Sequence, residues 1–378
     1  MPKQDPITKA LNRAVEEGVF PGAVVIVRRR GLVVYEQAVG LAVRLPEPEP
    51  ATLQTIYDLA SLTKPLATAS AMLCLVQDGI VDLAQRVDEV LGDLKGSPVG
   101  AATVFHLLNH SAGLPAWRPL YERIAAEDRR HPGFLGSAAA RRLAVRDLAQ
   151  EPLLYPIGAR SLYSDLGFVL LGLIVERMAG RSLDVFCRQR IYGTLEVERL
   201  GFMAAGVEGE RLASGVRLDR NVIAATEDDP WRGRILRGEV HDENAFAMGG
   251  VAGHAGLFGT ASAVLAVSRP WLQGALGQET LFRADLVRRF VVRQEQTSGS
   301  SWALGWDTPT SPSASGSRLS SEAFGHLGYT GTSLWVDPVR ELEIVLLSNR
   351  VHPDRQNNRI QQFRPVIHDL IFEALIGE

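Results

Sequence analysis

The sequence predicts an α/β protein of the α+β kind: strands from both ends of the chain make one antiparallel sheet flanked by helices, and a long, mainly helical segment is inserted between them. Three observations predict it. β-rich runs cluster near the termini, at residues 23–28 and 32–40 and again at 302–306, 330–336 and 342–347. From about residue 59 the pattern becomes mainly helical. The length of 378 residues exceeds one average domain, which favours two lobes or one large unit. The predicted division is 1–58 with 296–378 for the sheet lobe and 59–295 for the helical lobe, with the site in the cleft between them.

Taken in order, Asp5 to Gly18 carries Ile7, Leu11, Ala14 and Val15 at helical spacing behind an Asp-Pro start, which predicts a helix packed on the sheet. Ala23 to Arg28 and Leu32 to Gly40 flank Arg29-Arg30-Gly31 and read as an antiparallel hairpin. Ser61 to Asp78 and Leu166 to Ala179 are the clearest helices, with loops expected at 79–90 and 113–119. Trp302 to Trp306, Thr330 to Val336 and Leu342 to Leu347 read as strands, and Arg359 to Ile376 as a closing helix. A Ser-, Pro- and Gly-rich loop over 308–322 precedes the second of these strands.

Composition bounds the function. With 46% hydrophobic and 22% charged residues, the chain is an ordinary globular protein and not a disordered, collagen-like or disulfide-stapled one. A net charge of −3 with no block of like charges gives no footprint for nucleic acid or an anionic membrane, so a small molecule or short peptide is the expected partner. The longest apolar run, Leu166 to Val175, is about half of what a bilayer-spanning helix needs, and no membrane span is expected. The opening Met1-Pro2-Lys3-Gln4-Asp5-Pro6 lacks the features of a secretory leader, so the expected location is cytoplasmic. Cys74 and Cys187 sit in apolar helical contexts and read as buried thiols.

Lysine is rare: it occurs only at 3, 9, 64 and 95, against 40 basic residues in all. A position that keeps it needs what arginine cannot give, an amine able to lose its proton near neutral pH. Lys64 stands three residues after Ser61 on a predicted helix, so the two share one face. A serine hydroxyl becomes a nucleophile when a base takes its proton, and a desolvated lysine can be that base. Four lysines and 22 serines give about 0.2 chance matches to this spacing. The plainer alternative makes Ser61 a cap and Lys64 a solvated residue.

Two further segments carry chemistry. Tyr163-Ser164-Asp165 enters the Leu166 helix, where the phenol can shuttle a proton beside a lysine ammonium, or where Ser164 or Asp165 simply caps the helix. His326-Leu327-Gly328-Tyr329 precedes a strand whose edge can aim an N–H at a developing oxyanion, or is merely a Gly-rich hairpin entry. A third stretch, Gly238 to Phe258, holds His241, Asp242, Glu243, Asn244 and His254; it reads as a structural loop, as a pocket wall, or, with a spacing that fits no strong zinc pattern, as a metal site.

In order, spacing and context, the three motifs together resemble the serine β-lactamase and penicillin-binding-protein superfamily, and within it the class C β-lactamase-like branch of esterases, peptidases and amidases. Thr103 to Pro115 and Leu304-Gly305-Trp306 look similar to family segments as well, so the resemblance runs from about residue 7 to 375. The resemblance implies the β-lactamase/transpeptidase-like fold, with Ser61 as acylated nucleophile, Lys64 as its proton acceptor or electrostatic partner, and Tyr163 as second general base. It implies an oxyanion hole from the N–H groups of Ser61 and Tyr329 and places His326 and Gly328 in the third motif; the expected substrate contacts are Asp165, His326 and Gly328 and, on the pocket-wall reading, His241, Asn244 and His254.

Two departures from the family pattern matter. Asp165 stands where Asn is common, and its pairing with Lys64 would raise that lysine's pKa and shift base catalysis to Tyr163. His326 replaces a lysine that helps hold a substrate carboxylate, which weakens the case for β-lactam hydrolysis. The segment at 238–258 is similar to one in members linked to muropeptide breakdown, including N-acetylmuramoyl-L-alanine amidases.

The expected function is thus a serine hydrolase working through an acyl-enzyme on an ester or amide, an esterase or a muropeptide amidase, without metal or organic cofactor. The alternatives are a true β-lactamase or D-Ala-D-Ala carboxypeptidase, a noncatalytic sensor on the same scaffold, and metal-assisted hydrolysis through the 241–254 segment.

Overall fold

A computed structural model describes residues 5–203, 220–295, 297 and 299–377; residue 296, the expected lobe boundary, lies outside them. Helix α1 (Pro6–Glu16) begins as its sequence directs, with the Asp5 carboxylate accepting from the Thr8 N–H at 2.9 Å and proline at the first helical position. The hairpin follows, β1 (Gly22–Arg29) and β2 (Leu32–Val43), turning through Arg30 and Gly31, both at positive φ. After a short β3 (Glu49–Pro50), the chain leaves the sheet. It returns as β4 (Phe324–Leu327), β5 (Ser333–Asp337) and β6 (Leu342–Ser348), and closes with a helix over Ile360–Leu375. The six strands lie in the order β3-β2-β1-β6-β5-β4, every neighbouring pair antiparallel.

The run Ala23-Val24-Val25-Ile26-Val27 is apolar without alternation because both faces of β1 are covered. Val25 and Val27 pack with Ile7, Leu11, Ile367 and Ile371 of the terminal helices, while Val24 and Ile26 face the core shared with the inserted helices. Across β1 and β6, Arg28 pairs with Glu343, and the two side chains form a buried ion pair, Nη2 to Oε1 at 2.6 Å. Arg28 also donates to the Leu265 carbonyl, and Ser268 to Glu343, which ties the sheet to the helix over Ala261–Ala275.

The segment between β3 and β4 is largely helical, yet two small sheets lie within it. Residues 57–58, 257–259 and 200–202 form one, and the hairpin 225–229 with 234–237 forms the other. The helix expected from Ser61 starts as a 3-10 turn over Ala60–Leu62, widens to a π-type turn over Lys64–Ala69 and becomes regular only over Ser70–Gln77. The strand expected at Trp302–Trp306 is instead a tight loop: Gly305 has φ +82° and packs so closely on Ala69 that a Cβ would come within 2.5 Å of the alanine methyl. Trp302 and Asp307 bridge across this loop, and Asp307 pairs in turn with Gly325 of β4. Cys74 and Cys187 are buried free thiols.

The buried Arg28–Glu343 pair yields the first prediction. Glu343→Ala leaves a guanidinium buried without its counter-charge and should cost about 3–5 kcal/mol in urea unfolding; a loss below about 1 kcal/mol would show that the pair does not tie sheet to helix.

Candidate functional site

The segment leading to Ser61 is held in a conformation it would not adopt alone. Ala60 has φ +46°, unfavourable for a residue with a Cβ. Its N–H donates at 2.8 Å to the buried Asp58 carboxylate, which also accepts from the His241 N–H at 2.7 Å. Thr63 Oγ1 donates to the Ala60 carbonyl and accepts from the Leu257 N–H, while the Leu59 N–H reaches the Leu257 carbonyl. Ser61 is thereby set on a braced turn at the start of a helix.

Ser61 Oγ lies between two groups. Lys64 Nζ is 2.9 Å away and Tyr163 donates its phenolic O–H to Oγ at 2.7 Å. The Lys64 side chain is fully buried, and its ammonium also donates to Asp165 Oδ1 at 2.6 Å and to the His254 carbonyl at 3.0 Å. Nζ stands 4.9 Å from the centre of the Tyr163 ring. Burial lowers the lysine pKa; Asp165 opposes this, and the net direction is downward. The expected Asp165–Lys64 pair is present, but it moderates the effect of burial and does not carry the lysine above its ordinary value. Tyr163 is driven well above the usual phenol value by burial first and Asp165 second, against the Ser61 hydrogen bond. Its ring rests on Trp302 and on His110, whose Nδ1 accepts from the Ser164 N–H.

The third motif is strapped to the first. Thr330 Oγ1 donates to the Asp58 carbonyl at 2.7 Å and Thr332 Oγ1 to the Leu59 carbonyl at 3.0 Å. Gly328 fits where no side chain could, since a Cβ there would sit 2.6 Å from the Leu59 oxygen and 1.9 Å from Thr332 Oγ1. His326 is 2% exposed, and its Nδ1 lies 2.7 Å from the Leu327 carbonyl. A carbonyl only accepts, so Nδ1 carries the proton and Nε2, buried without a partner, is a bare acceptor. Burial and the nearby Lys64 press the His326 pKa down to about 3, so the ring is neutral at physiological pH.

Ser61, Tyr163, His326 and Gly328 line a cavity of about 600 Å³, together with Trp117, Asp165, Trp302 and Asp307, whose carboxyl burial pushes up to about 6. His241 and His254 are on its wall. His241 stacks on Tyr329, at 5.7 Å between ring centres, and its Nε2 meets Glu227 at 2.9 Å; His254 Nε2 meets Asp242 at 2.8 Å. Asn244 is not on the wall, which corrects the sequence reading: its amide oxygen accepts from the Tyr121 N–H and its amide nitrogen donates to the Arg118 carbonyl, so it braces a neighbouring segment. Among the described residues no three His, Cys, Asp or Glu side chains converge as metal ligands. Sequence reasoning missed Asp58, Asp307 and three arginines of the cavity wall, Arg350, Arg355 and Arg364. None stands in a local pattern that would have marked it.

Set beside known proteins, the chain matches the Beta-lactamase family model over residues 7–364. It is 31% identical over 367 residues to the N-acetylmuramyl-L-alanine amidase of Bacillus subtilis (strain 168), covering 92% of this chain and 80% of the relative. It is 31% identical over 361 residues to a protein of Escherichia coli (strain K12) named "Putative D-alanyl-D-alanine carboxypeptidase", covering 90% and 81%. The octameric penicillin-binding protein homologue from Pyrococcus abyssi superposes with a TM-score of 0.70 at 20% identity, over 98% of this chain and 78% of that one. The protein belongs to the β-lactamase family. It is a serine hydrolase of the β-lactamase and penicillin-binding-protein fold.

Gly328→Ala tests the strap between the motifs. Forcing the strand off Leu59 should slow reaction of Ser61 with a fluorophosphonate by about 10²-fold while the circular dichroism spectrum stays unchanged; an unaltered rate would mean that the close approach is not needed.

Proposed function

We propose that the chain hydrolyses small esters or amides, in particular short peptide or muropeptide bonds of the amidase or carboxypeptidase kind, through an acyl-enzyme on Ser61. The carrying observation is the placement of Ser61 Oγ within hydrogen-bond reach of both a fully buried lysine and a phenol. The names of the amidase and carboxypeptidase relatives support the substrate class.

Lys64 is the proton acceptor in this reading. Its lowered pKa provides the neutral amine, and Tyr163, held protonated, is the donor. As Oγ bonds to the carbonyl carbon, its proton passes to Nζ and the π pair moves onto the carbonyl oxygen. Collapse breaks the bond to the leaving group, which takes the Tyr163 proton, and the Lys64 ammonium restores it. Water then repeats the sequence on the acyl-enzyme. The N–H groups of Ser61 and Tyr329 hold the oxyanion. The place of Tyr329 on the cavity wall with Ser61 and Gly328 supports the second. His326 Nε2, an acceptor, suits a substrate N–H or O–H and not a carboxylate.

Intact-protein mass spectrometry after fluorophosphonate treatment should show one adduct on wild type and none on Ser61→Ala; equal labelling of both would mean that another serine reacts. Lys64→Arg keeps the charge but cannot release a proton, and should lower kcat/KM by about 10²–10⁴-fold. Since neutral Lys64 is the active form, kcat/KM should rise with pH through the Lys64 pKa. Asp165→Asn removes the charge that favours the ammonium, so the acid limb should move to lower pH; a shift to higher pH would contradict the assignment of the base.

A further inference from the structure

His110 follows the short helix over Val104–Leu108 and is held where glycine is favoured, at φ +61°, while only 2% exposed. Its ring Nδ1 accepts from the Ser164 N–H at 3.1 Å. An accepting Nδ1 leaves the proton of the neutral ring on Nε2, which is buried without a partner. Positive φ and an unpaired N–H are both unfavourable, and such features persist only where the surroundings over-determine them.

The contacts of His110 converge on Tyr163. Its carbonyl accepts from the Leu162 N–H at 2.9 Å and its Nδ1 from the Ser164 N–H, so one residue holds the backbone on both sides of the phenol. Its ring meets the Tyr163 ring at 4.8 Å between centres and is itself wedged against Phe168 at 5.1 Å and Trp302 at 4.5 Å. Neighbours complete the clamp: Ser161 Oγ donates to the Asn109 carbonyl at 2.8 Å, and Ser164 Oγ to the Pro115 carbonyl at 2.7 Å.

Tyr163 needs this support because residues 151–164 form neither helix nor strand, so no ladder of their own fixes the phenol. A displacement of about 1 Å at a reacting group can cost about 10²-fold in rate. The clamp requires a neutral imidazole, since a protonated Nδ1 would turn its own N–H on that of Ser164. Burial first, then the nearby Lys64, hold His110 well below the ordinary imidazole value, so the accepting form is the one present.

We propose that His110 is the positioning residue of Tyr163, fixing the phenol so that its O–H meets Ser61 Oγ and is ready for the departing group. This rests on the acyl-hydrolase reading above, in which Tyr163 gives its proton to the leaving group as the bond to the carbonyl carbon breaks. His110 does not line the cavity and acts through the phenol.

The leaving group's demand for a proton tests it. A 4-nitrophenolate departs as an anion, whereas 2,2,2-trifluoroethoxide needs a proton, so the ratio of kcat/KM for trifluoroethyl butyrate to that for 4-nitrophenyl butyrate reports the donor. His110→Gly removes ring and acceptor, takes the positive φ without strain, and should lower that ratio at least about tenfold. His110→Asn also tolerates this conformation and offers an amide oxygen to the Ser164 N–H, so it should recover part of the loss. If the glycine variant does not fold, His110→Asn decides: without the ring, its ratio should still fall by more than about twofold. In a Tyr163→Phe background, His110→Gly should change the ratio by less than about twofold, because the two residues act as one unit. Equal slowing of both esters, which structural damage alone would give, or a further tenfold fall in the Tyr163→Phe background overturns the assignment and leaves the hydrolase reading standing. If the wild-type protein does not cleave the trifluoroethyl ester, a crystal structure of the folded His110 variant decides: a Tyr163 hydroxyl out of hydrogen-bond reach of Ser61 Oγ supports the role, and an unmoved hydroxyl refutes it. Absence of cleavage of either ester together with an unlabelled Ser61 defeats the hydrolase reading separately.

Discussion

The site depends on one buried charge. Lys64 has no exposed side-chain surface, and its ammonium is held by Ser61 Oγ, Asp165 and the His254 carbonyl. Each contact reaches a different part of the chain: the helix of the nucleophile, the entry to the helix over Asp165–Ala179, and the loop that follows the short helix Glu243–Ala247. A buried ammonium without those acceptors would be strongly unfavourable, so the three segments are fixed relative to one another by the group that does the chemistry. Asp165 has a double effect here, satisfying the ammonium while keeping its pKa from falling as far as burial alone would take it.

A second constraint fixes the edge of the sheet against the nucleophile. The hydroxyls of Thr330 and Thr332 bind the carbonyls of Asp58 and Leu59, and Gly328 closes the remaining gap. Asp58 does the matching task from below, accepting from Ala60 and His241 and holding Ala60 at positive φ. The strain of that residue is compensated by a buried carboxylate with two N–H donors. These contacts join residues about 270 positions apart in sequence, so neither segment carries a complete site.

The architecture was legible where the pattern is local. The i,i+3 spacing of Ser61 and Lys64, the Asp-Pro start of the first helix, and the apolar runs of β1 and β6 each encode their own structure, and the sheet made from both termini followed. The strand read at Trp302–Trp306 failed because aromatic and aliphatic residues suggest β structure, whereas Gly305 turns the chain to pack on Ala69. Asn244 was read as a substrate contact from its place beside His241, yet its amide is spent on Tyr121 and Arg118. Asp58 and Arg364 were missed for the opposite reason. Their meaning lies in what the fold brings to them, carbonyls and N–H groups distant in sequence, and no spacing signals that.

Catalysis in this site requires Lys64 to act as a base with a lowered pKa. The chain has only four lysines, at 3, 9, 64 and 95, so nitrogen-15 NMR of protein labelled at lysine Nζ resolves the question directly. In a pH titration, with Lys64→Arg used to assign its signal, the Lys64 resonance should titrate below the ordinary lysine value of about 10.4. A Lys64 signal that titrates at that value, or above it, would contradict the proposed mechanism.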